Sequence, residues 1–194
     1  MNRISDIIIS LFFITFFSPV MLLIYISITA TGQKAIFKHR RIGINGCEFH
    51  CFKFTSMIDS CELGDKDRDR VNKEMALNGK VENDPRVTAI GKLIRKTSID
   101  ELPQFFNVLR GDMSIVGPRP ITIEELKRYG HRYYSYISIK PGITGLWQVS
   151  GRSNLSYRRR VAMDYYYSKN NDVYMRMFII LKTVYVVLFM NGAK

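Results

Sequence analysis

The chain has 194 residues, about one domain's worth and long enough to bury a real core. Its 29 Lys and Arg against 17 Asp and Glu leave a formal charge of +12, so the partners to expect are anionic: nucleic acid, lipid headgroups or phosphorylated small molecules. Three cysteines, an odd number beside a Lys- and Arg-rich region, argue against a disulfide framework and for reduced thiols in the cytosol.

The first predicted element is apolar. IIISLFFITFFSPVMLLIYISITA, residues 7–30, carries no charged side chain and is too long for the hydrophobic region of a signal peptide. As a helix its 24 residues reach about 36 Å, enough to cross a hydrocarbon core of about 30 Å. Ser18-Pro19 divides the run, however, because Pro19 has no N–H for the carbonyl of Thr15. Each half of about 18 Å matches roughly one leaflet, so a hairpin that enters and leaves by one face is open beside a simple span. Lys34, Lys38, Arg40 and Arg41 place the downstream side in the cytosol, and Arg3 argues weakly for the same side at the N-terminus.

Next comes AIFKHRRIGINGCEFHCFKF, where Asn45-Gly46 between two partly alternating stretches predicts a β-hairpin. Cys47, His50 and Cys51 have no second ligand pair at finger spacing, so packing explains these cysteines better than zinc. Residues 59–84 are crowded with charge and without steady periodicity; they read as an exposed connection, with a lid over a site as the sharper alternative. TAIGKLIRK, 88–96, is a short basic amphipathic helix with Ile90, Leu93 and Ile94 on one side, able to lie on a membrane surface.

TSIDELPQFFNV, 97–108, sets Asp100 and Glu101 side by side. Ser98 and Glu101 fit a capping box, but Pro103 sits better if Asp100 is the N-cap, since its missing N–H then costs nothing. On pattern alone capping outweighs catalysis. Gly111 is a natural helix stop. In SIVGPRP the prolines stiffen the turn that carries Arg119, a preorganised guanidinium suited to a diphosphate, although such turns are commonly just turns. KPGITGLWQVSGR, 140–152, repeats the theme: Gly142, Gly145 and Gly151 permit tight turns and Arg152 leaves the last of them. Core packing is the expectation for Trp147, with base stacking the alternative. Asp164 precedes three tyrosines, and with Glu101 it is a candidate magnesium carboxylate. The last apolar stretch, 172–190, is interrupted by Arg176 and Lys182 and belongs in the interface or against the domain.

These motifs together, with RRIGINGCEFHCFKF, the block from Asn83 to Pro120, KPGITGLWQVSGR and Asp164-Tyr165-Tyr166-Tyr167, resemble the monotopic phosphoglycosyl transferases over nearly the whole chain. The resemblance implies an α+β protein, mostly helical with a small β-hairpin. A re-entrant membrane helix over residues 1–31 would precede a cytosolic catalytic domain, 32–194, with interfacial amphipathic helices, on the bacterial inner membrane. It implies transfer of a sugar-1-phosphate from a UDP-sugar to polyprenol (undecaprenyl) phosphate, releasing UMP, with Mg²⁺. Asp100 maps onto the family's nucleophile, which forms a phosphosugar-aspartate intermediate, and Glu101 onto the acid associated with Mg²⁺. Lys53, Arg95, Arg119 and Arg152 fall at basic positions near the substrates, and Asp164 at an acidic position near the metal. Thr55-Ser56-Met57 departs from the family, which often carries a further basic residue there. Anionic membrane lipid is an expected partner. Nucleic acid is not, because acids and stiffened arginines alternate where a continuous basic-aromatic surface would be needed.

Overall fold

The computed structural model describes residues 3–78 and 81–189. Residues 1, 2, 79, 80 and 190–194 lie outside the described residues; they include the first two positions of the expected membrane region, two of the charged connection and the last of the final apolar stretch. Helix α1, Arg3–Thr29, runs unbroken through Ser18-Pro19. The Ser18 hydroxyl donates to the carbonyl of Thr15 at 2.8 Å, which satisfies the acceptor that Pro19 leaves free. Among the described residues it is the one helix long and apolar enough to cross a membrane.

One side of α1 is exposed and apolar, with Ile8, Phe12, Phe16 and Leu23 all on it. The other side docks at both ends. Near its start, Arg3 donates to the carbonyls of Val108 and Leu109, and the buried Asp6 accepts from Ser114 Oγ and the Ile115 N–H, both at 3.2 Å. Phe13 stacks on Phe105 at 4.9 Å. Near its end, Ile28 is buried with Ala35, Phe54 and Ile94.

The hairpin forms where Asn45-Gly46 predicts it. Strand β1, Ile36–Ile42, pairs antiparallel with β2, Glu48–Phe54, in a register that sets Ile36 opposite Phe54 and Ile42 opposite Glu48. Asn45 and Gly46 take positive φ of 56° and 76° in the turn. Cys51 is buried in the core, whereas Cys47 is exposed, so packing accounts for one of the two hairpin cysteines and not the other.

The charged region 59–84 is more ordered than a solvated connection. It contains α2, Asp65–Asn78, with acids in its first turn and Arg68–Asp65 and Arg70–Glu74 pairs at helical spacing. Val71, only 1 % exposed, is its one buried side chain among the described residues, too little to announce the helix by an apolar period. Helix α3, Ala89–Lys96, is capped by Thr88, which accepts from the Gly91 N–H at 2.9 Å. Ile90 and Ile94 pack inward, but Leu93 is 64 % exposed, so the expected three-residue face is a two-residue face.

After α4, Gln104–Arg110, the chain stops at Gly111 with φ 93°, as expected. Strand β3, Ser114–Val116, lies parallel to β4, Gly142–Thr144, a second small sheet absent from the sequence expectation. Short helices α5, Ile123–Lys127, α6, Tyr133–Ile137, and α7, Leu146–Val149, link these to α8, Tyr157–Lys169. Helix α9, Val173–Leu188, buries Ile179 and Val186 and leaves Tyr174, Leu181 and Leu188 exposed. The main core gathers Val108, Met113, Val116, Tyr167 and Ile179 around the β3–β4 pair.

Candidate active site

The dyad sits at the break between α3 and α4. Ser98 turns left-handed, with φ 58°, and makes no cap contact; Ile99–Glu101 then form one 3-10 turn before α4 begins at Gln104. The register expected for Asp100 as N-cap is therefore not adopted. The 3-10 turn satisfies the backbone through Glu101 N–H to Ser98 O at 3.2 Å and Leu102 N–H to Ile99 O at 3.1 Å, and Pro103 falls where no N–H is needed. Relieved of capping, both carboxylates line the large cleft of the molecule.

Their electrostatics differ. Glu101 Oε1 accepts from Lys53 Nζ at 2.6 Å and lies 3.5 Å from Arg119 Nη1. Burial would lift the Glu101 carboxyl, but Lys53, Arg119 and the more distant Arg152 outweigh it and hold the group at about 2. Asp100 goes the other way. Burial first, and the charge of Glu101 second, push it up to about 6 against the pull of Lys53, Arg95 and Arg119. The four basic residues singled out by resemblance thus act on the pair from separate parts of the chain, Lys53 from β2, Arg95 from α3, and Arg119 and Arg152 from the segments after β3 and α7.

Lys53 comes from β2, and Asn107, which sequence reasoning missed, aligns that strand with α4. Fully buried, Asn107 accepts from the Phe52 N–H at 2.9 Å and donates to His50 O at 2.7 Å and Asp112 Oδ2 at 3.1 Å. The available signal was a polar residue inside the apolar run FFNVL. Arg119 follows a crossing of two backbones: a Cβ on Gly142 would lie 2.0 Å from Gly117 N, and one on Gly145 2.4 Å from Gly117 O. Those two glycines serve close approach, not the tight turns expected of them. Gly151 does take a positive φ, 146°, and Arg152 after it is held at φ 49°, a strained setting for a side chain at a charged site.

Asp164 is not brought to the dyad. It is buried in α8 among tyrosines, where its Oδ2 accepts from the Tyr129 hydroxyl at 2.7 Å, and it is absent from the cleft lining. Burial pushes its carboxyl up to about 7, against the hydrogen bond from Tyr129. Trp147 is only partly buried and forms cleft wall with Arg160 over its ring at 5.0 Å, so it is not simply core. Among the described residues no group of three or more His, Cys, Asp or Glu is placed to hold a metal ion. A magnesium ion bound with substrate phosphates needs only one or two carboxylates, and Asp100 with Glu101 fits that demand because both contacts to Glu101 fall on Oε1.

The cleft, of about 2530 Å³, sets this charged floor beside apolar side chains of α1 (Phe13, Phe17) and α9 (Val184, Val187). Such a site can receive an anionic group on one wall and an apolar chain on another.

The bacterial sugar transferase family matches the chain over residues 1–190. An uncharacterised sugar transferase of Haemophilus influenzae is 47% identical over the whole chain, which covers 42% of that protein. The undecaprenyl-phosphate galactose phosphotransferase of Salmonella typhimurium is 45% identical, again over the whole chain and 41% of its own length. The chain thus spans about two fifths of these relatives. It spans more of the exopolysaccharide production protein ExoY of Rhizobium meliloti, 41% identical over 91% of the chain and 80% of the relative.

Proposed function

The chain belongs to the bacterial sugar transferase family, and from that premise we propose that it moves a sugar-1-phosphate from a UDP-sugar to polyprenol phosphate in the first membrane step of glycoconjugate assembly. One observation carries the reading: a carboxylate raised to about 6 stands beside a second one neutralised by Lys53 and Arg119, in a cleft with an apolar wall. Relatives named for transfer of galactose or glucose phosphate to an undecaprenyl carrier support the substrate class.

In the proposed chemistry an Asp100 oxygen attacks the β-phosphorus of the UDP-sugar. The bond to the bridging oxygen breaks and UMP leaves with that oxygen and its electron pair. The resulting phosphosugar-aspartate is then attacked by an oxygen of the polyprenol phosphate, which regenerates the carboxylate. Bringing anions together demands fixed positive charge, which Lys53, Arg95, Arg119 and Arg152 provide without reorganising. A raised pKa leaves Asp100 largely ionised near neutral pH yet more nucleophilic than an ordinary aspartate. Glu101, ionised throughout, keeps Lys53 and Arg119 oriented. Mg²⁺, when bound at Asp100 and Glu101 with the diphosphate, would add Lewis-acid neutralisation of the phosphoryl oxygens.

The finer topology belongs to the same reading. Both ends of α1 pack against the rest of the chain, which supports a segment that enters and leaves the bilayer by one face, with Ser18-Pro19 the place where the otherwise continuous helix lacks a backbone N–H. The catalytic domain would then face the cytosol on the inner membrane, with α9 in the interface and basic residues on anionic lipid. The test of function is UMP release by the purified protein with Mg²⁺ and polyprenol phosphate over a panel of UDP-sugars. At least one donor is expected to give turnover that Asp100→Asn abolishes; full activity in that variant would overturn the reading.

A further inference from the structure

Arg119 lies in a turn that cannot hold itself. Pro120 has no N–H, so the backbone between Arg119 and Ile121 needs partners from elsewhere. Part of the tie is to β1, through the Ile42 N–H to Ile121 O at 2.9 Å, and part to β4, through the Gly142 N–H to Pro118 O at 2.8 Å. Two further groups, the Ile121 N–H and the Arg119 carbonyl, meet at one hydroxyl. Tyr136, on α6 and 2 % exposed, accepts from the Ile121 N–H at 3.2 Å and directs its proton to Ile42 O at 3.1 Å and Arg119 O at 3.2 Å.

The ring behind that hydroxyl is itself braced. Tyr136 packs edge-on to Tyr129 with ring centroids 5.3 Å apart, and the Tyr129 hydroxyl donates to the buried Asp164. A carboxylate, two phenols and a proline-locked turn therefore form a continuous buried path that ends at the backbone of Arg119. The guanidinium at the far end is 3.5 Å from Glu101.

We propose that Tyr136 is a positioning residue whose hydroxyl fixes the Arg119 backbone so that the guanidinium faces Glu101, and that Asp164 acts through Tyr129 to hold the Tyr136 ring. The inference rests on the reading of Arg119 as a group that serves the dyad, and it gives Asp164 a bracing role in place of the metal role implied by resemblance. Tyr136→Phe keeps the ring but removes the junction, leaving the Ile121 N–H and Arg119 O without their shared partner.

The test uses the full chain in detergent micelles labelled with ¹⁵N-arginine, with the Arg119 Nε–H signal assigned from its loss in Arg119→Lys. Tyr136→Phe is expected to shift or broaden that signal and to lower kcat for UMP release about tenfold, with KM changed less than about threefold. In an Arg119→Lys background the same substitution should cost less than about twofold, because coupled residues do not add. Tyr157→Phe, which removes a different packed hydroxyl bonded to Glu125 O, should leave the Arg119 signal in place. An unmoved Arg119 signal in folded Tyr136→Phe would overturn the proposal. Should that variant not fold, Tyr129→Phe replaces it, with a smaller shift in the same signal expected and no shift contradicting the bracing path. If the wild-type chain releases no UMP from any donor, the functional reading fails, while the Arg119 signal still decides this inference.

Discussion

Burial and the neighbouring Glu101 push the Asp100 carboxyl up to about 6, and this has a cost in stability that can be measured. A carboxyl whose folded pKa lies above its unfolded value of about 3.9 favours folding while protonated, and that contribution fades as pH rises through the folded pKa. Asp100→Asn, which never ionises, should therefore be more stable than wild type by about 1–2 kcal/mol near pH 7.5, allowing for partial exposure, and show no such gain near pH 4. Thermal unfolding at the two pH values checks this; equal gains at both would place the effect elsewhere. Sequence made the acid pair visible but not its register. Ser98-Ile99-Asp100-Glu101 fits a capping box and Pro103 favours Asp100 as cap, yet the left-handed Ser98 turns the segment away from both. No local pattern encodes that turn, because α3 and α4, on either side of it, are buried in different clusters, Ile94 with Ile28 and Phe54, and Phe105 and Val108 in the main core.

At the scale of elements, the hairpin was legible because Asn45-Gly46 supplies the two positive φ angles its turn requires. The β3–β4 pair was not, since three-residue strands are too short to show alternation. Its signature lay in the glycines instead, and their role was misread as turning when Gly142 and Gly145 serve close backbone approach. Gly142→Ala tests the difference. A methyl 2.0 Å from Gly117 N cannot be accommodated without separating the strands, so a loss of about 3 kcal/mol is expected. Activity should fall with it, because Arg119 leaves from this crossing. Gly46→Ala meets no neighbour and pays only for its positive φ of 76°, so its loss should be smaller, about 1 kcal/mol. Parallel denaturation of the two variants checks the order. Helix α2 escaped detection for the opposite reason: its first six residues are all charged, and Val71 is the one buried residue among those described in it.

Across the whole molecule, the proposed function would give the charge of +12 and the apolar faces of α1 and α9 one purpose, to bring anionic head groups and a lipid chain to the cleft that holds the dyad. If α1 returns to the face it entered, a cysteine at exposed position 4, as Ile4→Cys, should stay unlabelled by an impermeant reagent outside intact cells and react after permeabilisation. Labelling from outside would instead make α1 a span. Composition led to the expectation of a membrane segment, and α1 is long and apolar enough to cross one. Composition could not foretell that Asp164 would be withdrawn into a tyrosine cluster, because that depends on packing between α6 and α8. The most direct measurement is the intact mass of the protein after incubation with a UDP-sugar donor and Mg²⁺ but no polyprenol phosphate. The account predicts a mass gain of one sugar phosphate with UMP released in equal amount, lost in Asp100→Asn. A donor that turns over with polyprenol phosphate yet leaves the mass unchanged and releases no UMP without it would contradict a covalent role for Asp100.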